Sequence, residues 1–133
     1  MIARWLERVP LAGCQLLFRL AIAGVFFRAG LTKITSWEPT VALFRDEYKV
    51  PLLSPEIAAA LATTFELGCS LLLIAGLATR LATLPLLAMI AVIQGFVYPS
   101  AWPEHLTWFS ILVFLLTRGP GALSLDRLIA RRR

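Results

Sequence analysis

The sequence predicts an all-α membrane protein, built as a bundle of four transmembrane helices with an amphipathic interfacial helix between spans 1 and 2. The first observation is composition: 59% of the 133 residues are hydrophobic, whereas soluble domains hold about 45–50%. The second is pattern, because long apolar stretches alternate with short connections rich in proline, glycine or charge. At this length we expect a single domain, residues 1–133.

Each predicted span is an apolar stretch of roughly membrane length. A helix of about 20 residues crosses a hydrocarbon core of about 30 Å. Pro10 and Pro55 stand at the predicted starts of the first two spans, where a missing N–H costs little. The fourth span is short for a bilayer, so we expect it to stand upright, to thin the membrane or to borrow length from its ends. The predicted spans are approximately residues 10–31, 55–77, 81–98 and 103–117.

The connection between the first two spans contains the predicted interfacial helix, residues 36–50. Its apolar side chains recur every three or four residues and therefore share one helical face: Trp37, Val41, Phe44 and Tyr48. Charged residues occupy the other face, which is typical of a helix lying in the membrane surface. After the fourth span, residues 118–133 form a basic cytoplasmic surface tail in which Ser124 caps a short helix.

The net charge of +5 indicates topology and lipid rather than nucleic acid, because the basic residues gather at the chain ends and in one short loop. We therefore exclude nucleic acid and expect anionic lipid headgroups as a partner. The positive-inside rule places the more basic side, with both termini, in the cytoplasm. That side holds eight arginines, namely Arg4, Arg8, Arg80, Arg118, Arg127, Arg131, Arg132 and Arg133. The opposite side holds three basic residues, Lys33, Arg45 and Lys49.

Two charged side chains fall deep inside the predicted spans. Counted from the ends of their helices, Arg19 and Glu66 each lie about 14–15 Å deep, and both reach the middle of the membrane because the spans run antiparallel. A lone charge there costs at least about 2.5–3.5 kcal/mol, whereas a hydrogen-bonded pair is tolerable. We predict a buried Arg19–Glu66 ion pair, which either fixes the helix register or handles a ligand or a proton.

Four further residues complete the candidate ligand-binding set. Arg28 lies on the face opposite Arg19 and can snorkel outward, whereas Lys33 shares the face of Arg19. Gln94 and His105 lie near the outer ends of spans 3 and 4. Together these residues predict a basic, aromatic-rimmed pocket suited to an anion or a quinone-like ring. The alternative is an ordinary interfacial belt of aromatic and polar side chains.

The sequence offers little to hold a metal or a covalent cofactor. It contains Cys14 and Cys69, with no CxxC pair, and a single histidine. This set lacks the ligand spacing of a metal site. We expect no metal and no covalently bound cofactor, so a bound quinone is the candidate electron carrier.

Three motifs are more informative together than separately. They comprise Arg19, Gly24, Gly30 and Lys33 in span 1, Glu66, Gly68, Gly76 and Arg80 in and after span 2, and Gly119 and Asp126 in the tail. In order and spacing they resemble the DoxX family of small four-helix bacterial membrane proteins, over nearly the whole chain. The resemblance implies a multi-pass protein of the bacterial inner membrane, loosely tied to oxidation chemistry. A related subunit belongs to a thiosulfate:quinone oxidoreductase, and other members are linked to oxidative-stress complexes.

Three functions follow as hypotheses. The first is a membrane subunit of a redox complex that binds a quinone or a small sulfur oxyanion among Arg19, Arg28, Lys33 and Glu66, exchanges electrons with a partner protein, and moves protons through Glu66. The second is a non-catalytic membrane anchor or assembly factor for partner proteins. The third is a small-solute transporter subunit, which would need to oligomerise. Whether the chain is an enzyme, and whether it forms a homo-oligomer, stays open from the sequence.

Overall fold

The computed structural model describes residues 2–8 and 10–131, and within these ranges the chain is all helical, with no strand. The α-helices of this part are α1 (Ile2–Leu6), α2 (Leu11–Thr35), α3 (Trp37–Leu43), α4 (Pro55–Ala75), α5 (Thr79–Val92), α6 (Trp102–Arg118) and α7 (Leu125–Arg131). Two π-helical turns, Phe44–Tyr48 and Ile93–Val97, extend α3 and α5, and a 3-10 turn, Pro99–Ala101, precedes α6. The predicted all-α class is confirmed.

Among the described residues, three helical segments are long and apolar enough to cross a membrane, namely Leu11–Thr35, Pro55–Ala75 and Thr79–Val97. They correspond to the first three predicted spans, and the largest difference is that α2 continues four residues further, to Thr35. Helix α6 corresponds to the fourth predicted span. Its 17 residues give it a length of about 26 Å. It is not among the three segments that are long and apolar enough to cross a membrane.

The core of the bundle lies between α2, α4, α5 and α6. Helix α2 packs most extensively against α4, and α5 packs against both α4 and α6. The fully buried apolar side chains include Ile22, Leu73, Leu86, Leu112 and Leu115. Large apolar side chains on the outer faces are instead exposed, as on a surface that meets lipid; examples are Leu17, Leu20, Leu61, Leu71, Leu84 and Leu106.

The predicted interfacial segment is helical, but its apolar face is partly occupied within the protein. Val41 and Phe44 are buried against Ala58 and Ala59 of α4. The helix therefore packs on the bundle through the residues that we expected to face lipid. Its position at the membrane surface stays a prediction.

Two predicted helix caps are confirmed. Ser54 Oγ accepts a hydrogen bond from the backbone N–H of Ile57 at 3.3 Å and caps α4. Ser124 Oγ likewise accepts from Arg127 N at 3.3 Å, in the first turn of α7. Arg132 and Arg133, which the sequence assigns to the same basic tail, lie outside the described residues.

Candidate functional site

An ion pair joins α2 to α4 near the end of α2. Lys33 Nζ lies 2.9 Å from each carboxylate oxygen of Glu66 and donates to both. The Glu66 side chain is 5% exposed and the Lys33 side chain 19%, so the pair is largely removed from solvent. Gly30 allows α2 to approach α4 closely, because a Cβ at that position would lie 2.8 Å from the Leu67 side chain and 3.3 Å from Glu66 Cβ.

The predicted Arg19–Glu66 ion pair is not formed, which corrects our interpretation of both residues. Arg19 is completely buried, and its Nη2 donates to the backbone carbonyl of Leu123 at 2.5 Å. The carboxylate whose charge attracts this guanidinium is Asp126. Arg19 therefore holds the segment between α6 and α7 against α2, and Glu66 pairs with Lys33 instead.

The depth calculation failed because α2 and α4 are offset along their axes. Gly30 packs level with Glu66, whereas Arg19 Nη1 would lie 1.9 Å from a Cβ on Gly76. Eleven residues separate Gly30 from Arg19, which is roughly 16 Å of helix, so Arg19 and Glu66 lie at different levels of the bundle. Counting from the helix ends assumed a common starting level, and it also ended α2 before Thr35.

Arg19 belongs to a cluster that we call the tail lock, defined by Gln15, Arg19, Gly76 and Asp126. Gln15 Nε2 donates to the carbonyls of Arg118 and Gly119, at 3.2 Å each. The Asp126 carboxylate accepts from the backbone N–H groups of residues 78 and 79, at 2.7 and 3.0 Å, and so caps α5. Asp126 N in turn donates to the Gly76 carbonyl at 2.9 Å. The cluster fixes the tail to one end of the bundle.

Arg28 lies apart from both clusters. It is exposed, in agreement with the prediction that it faces away from Arg19. The cations of α2 therefore do not gather around one point: Arg19 binds the tail, Lys33 binds Glu66, and Arg28 lies on the outer surface.

Gln94 and His105 form a second polar pair, between the π-helical turn after α5 and the first turn of α6. His105 is 4% exposed, and its Nδ1 lies 2.6 Å from Gln94 Oε1. Gln94 Nε2 donates to the Pro99 carbonyl at 3.0 Å, which fixes the amide with its oxygen toward the imidazole. We therefore assign the Nδ1–H as the donor. In this tautomer, Nε2 is the hydrogen-bonding atom that remains for a ligand.

This pair lies on the wall of an apolar pocket of about 300 Å³, which we call the α5–α6 pocket. It is lined by Ile90, Ala91, Gln94, Trp102, His105, Leu106 and Phe109. The π-helical turn changes the direction of the residues that follow α5, and such turns are frequent at functional sites. Trp108 packs 5.6 Å from the His105 ring and 5.9 Å from Phe26 of α2, centroid to centroid. The pocket is thus backed by the core.

A third contact joins the two π-helical turns. The Tyr98 hydroxyl donates to a Glu47 carboxylate oxygen, and the Tyr98 ring packs edge-on against Tyr48 with centroids 5.7 Å apart. Donation to the carboxylate raises the pKa of Tyr98 above its ordinary value of 10.0, because the hydrogen bond favours the protonated phenol. The contact holds the π-helical turn after α3 against the end of the π-helical turn after α5.

Sequence reasoning missed Gln15, Asp126 and Glu47. A signal existed for Gln15, since an amide inside an apolar helix needs a partner. Asp126 and Glu47 act on residues about 50 positions away in sequence, and no local pattern reveals such contacts. Within residues 2–8 and 10–131, no group of three or more His, Cys, Asp or Glu side chains is placed to hold a metal ion.

Comparison with known proteins supplies a family. The DoxX family model matches residues 14–99, which is more than half of the chain. The match includes Arg19, Arg28, Lys33, Glu66 and Gln94, and it ends before α6 and the tail. The resemblance that we extended over nearly the whole chain is therefore supported for this part. Neither the curated proteins nor the solved structures include a significant match.

Proposed function

The chain belongs to the DoxX family, and from this premise we propose that it is a membrane subunit of a redox complex that binds a quinone-type ring in the α5–α6 pocket. The observation that carries the proposal is the buried His105, hydrogen-bonded to the half-buried Gln94, on the wall of an otherwise apolar pocket. A few placed polar groups in an apolar cavity are typical of sites for small ring-shaped ligands.

The hydrogen-bonding state of His105 suits both redox forms of such a ring. With the proton on Nδ1 donated to Gln94, Nε2 accepts from the hydroxyl of a quinol. When His105 is doubly protonated, Nε2 donates instead to a quinone carbonyl. Reduction of the quinone consumes two electrons and two protons. His105, when doubly protonated, supplies one of those protons from Nε2, and water supplies the other. A partner redox protein supplies the electrons.

The pocket is matched to a single ring rather than to a whole isoprenoid quinone. Its volume of about 300 Å³ is at the lower end for small-molecule sites. Trp102, Leu106 and Phe109 line it and are exposed on the outer face of α6. If the quinone ring enters the pocket from the hydrocarbon core of the membrane, its isoprenoid tail would lie along that face of α6.

The sulfur-oxyanion version of the hypothesis gains no support from the geometry. An anion site needs cationic side chains that point toward one place. The three cations of α2, Arg19, Arg28 and Lys33, lie in three different places. Lys33 is neutralised by Glu66, Arg19 is buried against Leu123, and Arg28 is exposed on the other face. We therefore retain the quinone and drop the oxyanion.

The proposal includes an arrangement in the bacterial inner membrane. The three long apolar helices make a multi-pass membrane protein, and we propose that α6 is a fourth span, with the 3-10 turn before it adding length. The count of eight against three basic residues supports both termini in the cytoplasm. Helix α3 would then lie at the outer surface, above α4.

One observation favours the non-catalytic anchor as a second candidate. Lys33, Glu66, Arg19 and Gln15 bind other groups of this chain. Such contacts are those of a scaffold that fixes helix register. An anchor role would need no ligand in the α5–α6 pocket, so a binding experiment separates the two functions.

The test is a titration of the purified full chain in nanodiscs with benzoquinone and naphthoquinone analogues that carry short isoprenoid tails. Quenching of tryptophan fluorescence reports binding, because Trp102 lines the pocket and Trp108 lies against His105. We expect His105→Phe to raise Kd by about tenfold, the value of one hydrogen bond. Ser110→Ala is the matched control on the exposed face of α6, where the hydroxyl contacts only its own helix.

Equal quenching in the wild-type chain, His105→Phe and Ser110→Ala would refute the pocket as the site. No saturable quenching in the wild-type chain would refute quinone binding and leave the anchor role. Circular dichroism of each variant confirms that the helical content is retained.

A further inference from the structure

A second cleft lies at the tail end of the bundle, remote from the α5–α6 pocket. We call it the tail cleft: it has a volume of about 590 Å³ and lies between the first turn of α5, the loop after α6 and helix α7. Its lining includes Gln15, Thr79, Arg80, Arg118 and Arg127. The volume is typical of a small-molecule site, and the redox proposal makes no use of it.

Three guanidinium groups make the tail cleft basic. Arg80, Arg118 and Arg127 come from α5, α6 and α7, so the tertiary fold brings them together. None of the three forms a salt bridge with a carboxylate among residues 2–8 and 10–131. Asp126 also lines the cleft, but its carboxylate oxygens accept the N–H groups of residues 78 and 79. The acidic group is therefore occupied by the helix end. Arg80 Nη2 donates to the Thr117 carbonyl at 3.5 Å, and the other Arg80 donors, with those of Arg118 and Arg127, are left for a ligand.

The rim of the tail cleft is apolar on one side. Leu81 lines the cleft and is 68% exposed. It begins a stripe of exposed small and apolar residues along one face of α5, continued by Leu84 and Ala88, and the stripe ends at Ala91 on the wall of the α5–α6 pocket. These positions are three or four residues apart and so share a helical face. The stripe leads from the basic cleft along a helix that is apolar enough to span a membrane.

We propose that the tail cleft binds the phosphate group of one anionic phospholipid, whose acyl chain lies along the Leu81–Ala91 stripe. Guanidinium groups bind phosphate oxygens by paired, charge-assisted hydrogen bonds, and the adjoining stripe receives the hydrocarbon. The site differs from the diffuse attraction of a basic tail to the membrane, because it holds one lipid at a defined place. It also reaches both α5 and α7, so a bound lipid stabilises the docked tail.

The test is native mass spectrometry of the full chain, released from detergent and titrated with phosphatidylglycerol or with phosphatidylcholine of the same acyl chains. We expect one phosphatidylglycerol to be retained in preference to phosphatidylcholine. The variant R80Q/R118Q/R127Q should bind phosphatidylglycerol at least about tenfold more weakly, since each arginine near the headgroup contributes strongly.

A matched control removes the same charge from the same predicted side of the membrane without touching the cleft. R4Q/R8Q/R131Q changes three exposed arginines outside the cleft lining, and its affinity for phosphatidylglycerol should stay within about twofold of wild type. If both triple variants lose affinity equally, the attraction is diffuse and the proposal is wrong.

Two further experiments address a variant that fails to fold and the source of the bound phosphate. If the triple variant does not fold, Arg127→Gln alone serves, because Arg127 lies exposed on α7; its binding should be about fivefold weaker, and unchanged binding would contradict the proposal. Excess inorganic phosphate distinguishes the two sources of the anion. If it displaces phosphatidylglycerol as effectively as added phosphatidylglycerol does, the occupant is free phosphate and the lipid assignment fails.

Discussion

The two ends of the bundle contain buried and half-buried polar side chains of similar kinds and use them differently. At the tail end, Gln15, Arg19 and Asp126 bind backbone groups of another segment. At the opposite end, Lys33 binds Glu66, and His105 binds Gln94 beside an open pocket. A side chain that binds backbone fixes the path of the chain. A pair of side chains beside a pocket leaves hydrogen-bonding capacity for a ligand, so burial alone does not identify a functional residue.

The largest effect on stability is expected at the ion pair. Lys33→Leu leaves the Glu66 carboxylate, 5% exposed, without its cation, and breaking a buried pair in this way costs about 3 kcal/mol. Equilibrium unfolding in mixed detergent micelles, followed by circular dichroism, measures the loss.

The double variant Lys33→Leu/Glu66→Leu is the control for this experiment. Since it removes both charges, it should recover most of the lost stability. A double variant as unstable as the single one would show that the pair is more than a helix contact. That outcome would contradict the account of an unpaired Glu66 charge as the cause of the loss.

The next effect in size concerns the tail lock. Gly76 has φ +71°, and a Cβ there would lie 1.9 Å from Arg19 Nη1. Gly76→Ala therefore combines an unfavourable backbone conformation with displacement of Arg19, at a cost of about 2 kcal/mol. The same unfolding assay checks the value. Gly68→Ala is the matched control, because a Cβ at Gly68 meets nothing within 4 Å, and equal losses in the two variants would contradict the account of Arg19.

A smaller effect is expected from the cap on α5. Asp126→Ala removes the acceptor for the N–H groups of residues 78 and 79, and loss of a cap costs about 1 kcal/mol. It also removes the carboxylate that attracts Arg19, but the two groups form no salt bridge, so we expect the larger part of the loss to come from the cap. Hydrogen exchange should quicken in the first turn of α5 and in α7, with quinone binding unchanged. Asp46→Ala, at an exposed position, is the control. Faster exchange throughout the bundle in Asp126→Ala would show that the effect of the tail lock is not confined to the tail end.

The smallest effect concerns Tyr98. Its folded-state pKa lies above the ordinary value of 10.0, so the Tyr98–Glu47 contact stabilises the protein below pH 10 and is lost as the pH rises through the folded-state pKa. The ultraviolet absorbance titration of wild type minus Tyr98→Phe should give a midpoint above 10. Glu47→Gln should lower that midpoint, because the charged acceptor is gone. A midpoint at or below 10 in the wild-type protein would contradict the contact.

Much of the fold could be predicted because it follows from local patterns. Apolar stretches, the caps at Ser54 and Ser124, and the helical face of Val41 and Phe44 each depend on residues a few positions apart. The relative shift of α2 and α4 is different, since it depends on where Gly30 allows close approach. Depth counted from helix ends cannot reveal it, and this is why Glu66 was paired with the wrong cation.

The sequence predicted which residues belong to the candidate site, but it did not predict which of their side chains are in contact. Gln94 and His105 stood out because they are polar residues in apolar surroundings. Their contact depends on the π-helical turn after α5, and neither residue's neighbours in sequence indicate it. Asp126 belongs to one of the motifs that resemble the family, yet its contact with α5 depends on the whole path of the tail.

The most direct test of the proposed function is photoaffinity labelling of the full chain in nanodiscs with an azido-quinone, followed by mass spectrometry of the labelled peptides. The α5–α6 pocket predicts labelling between residues 90 and 109, suppressed by excess unlabelled quinone and reduced in His105→Phe. Labelling that is centred on Lys33 and Glu66, or that excess quinone does not suppress, would contradict a quinone site at His105.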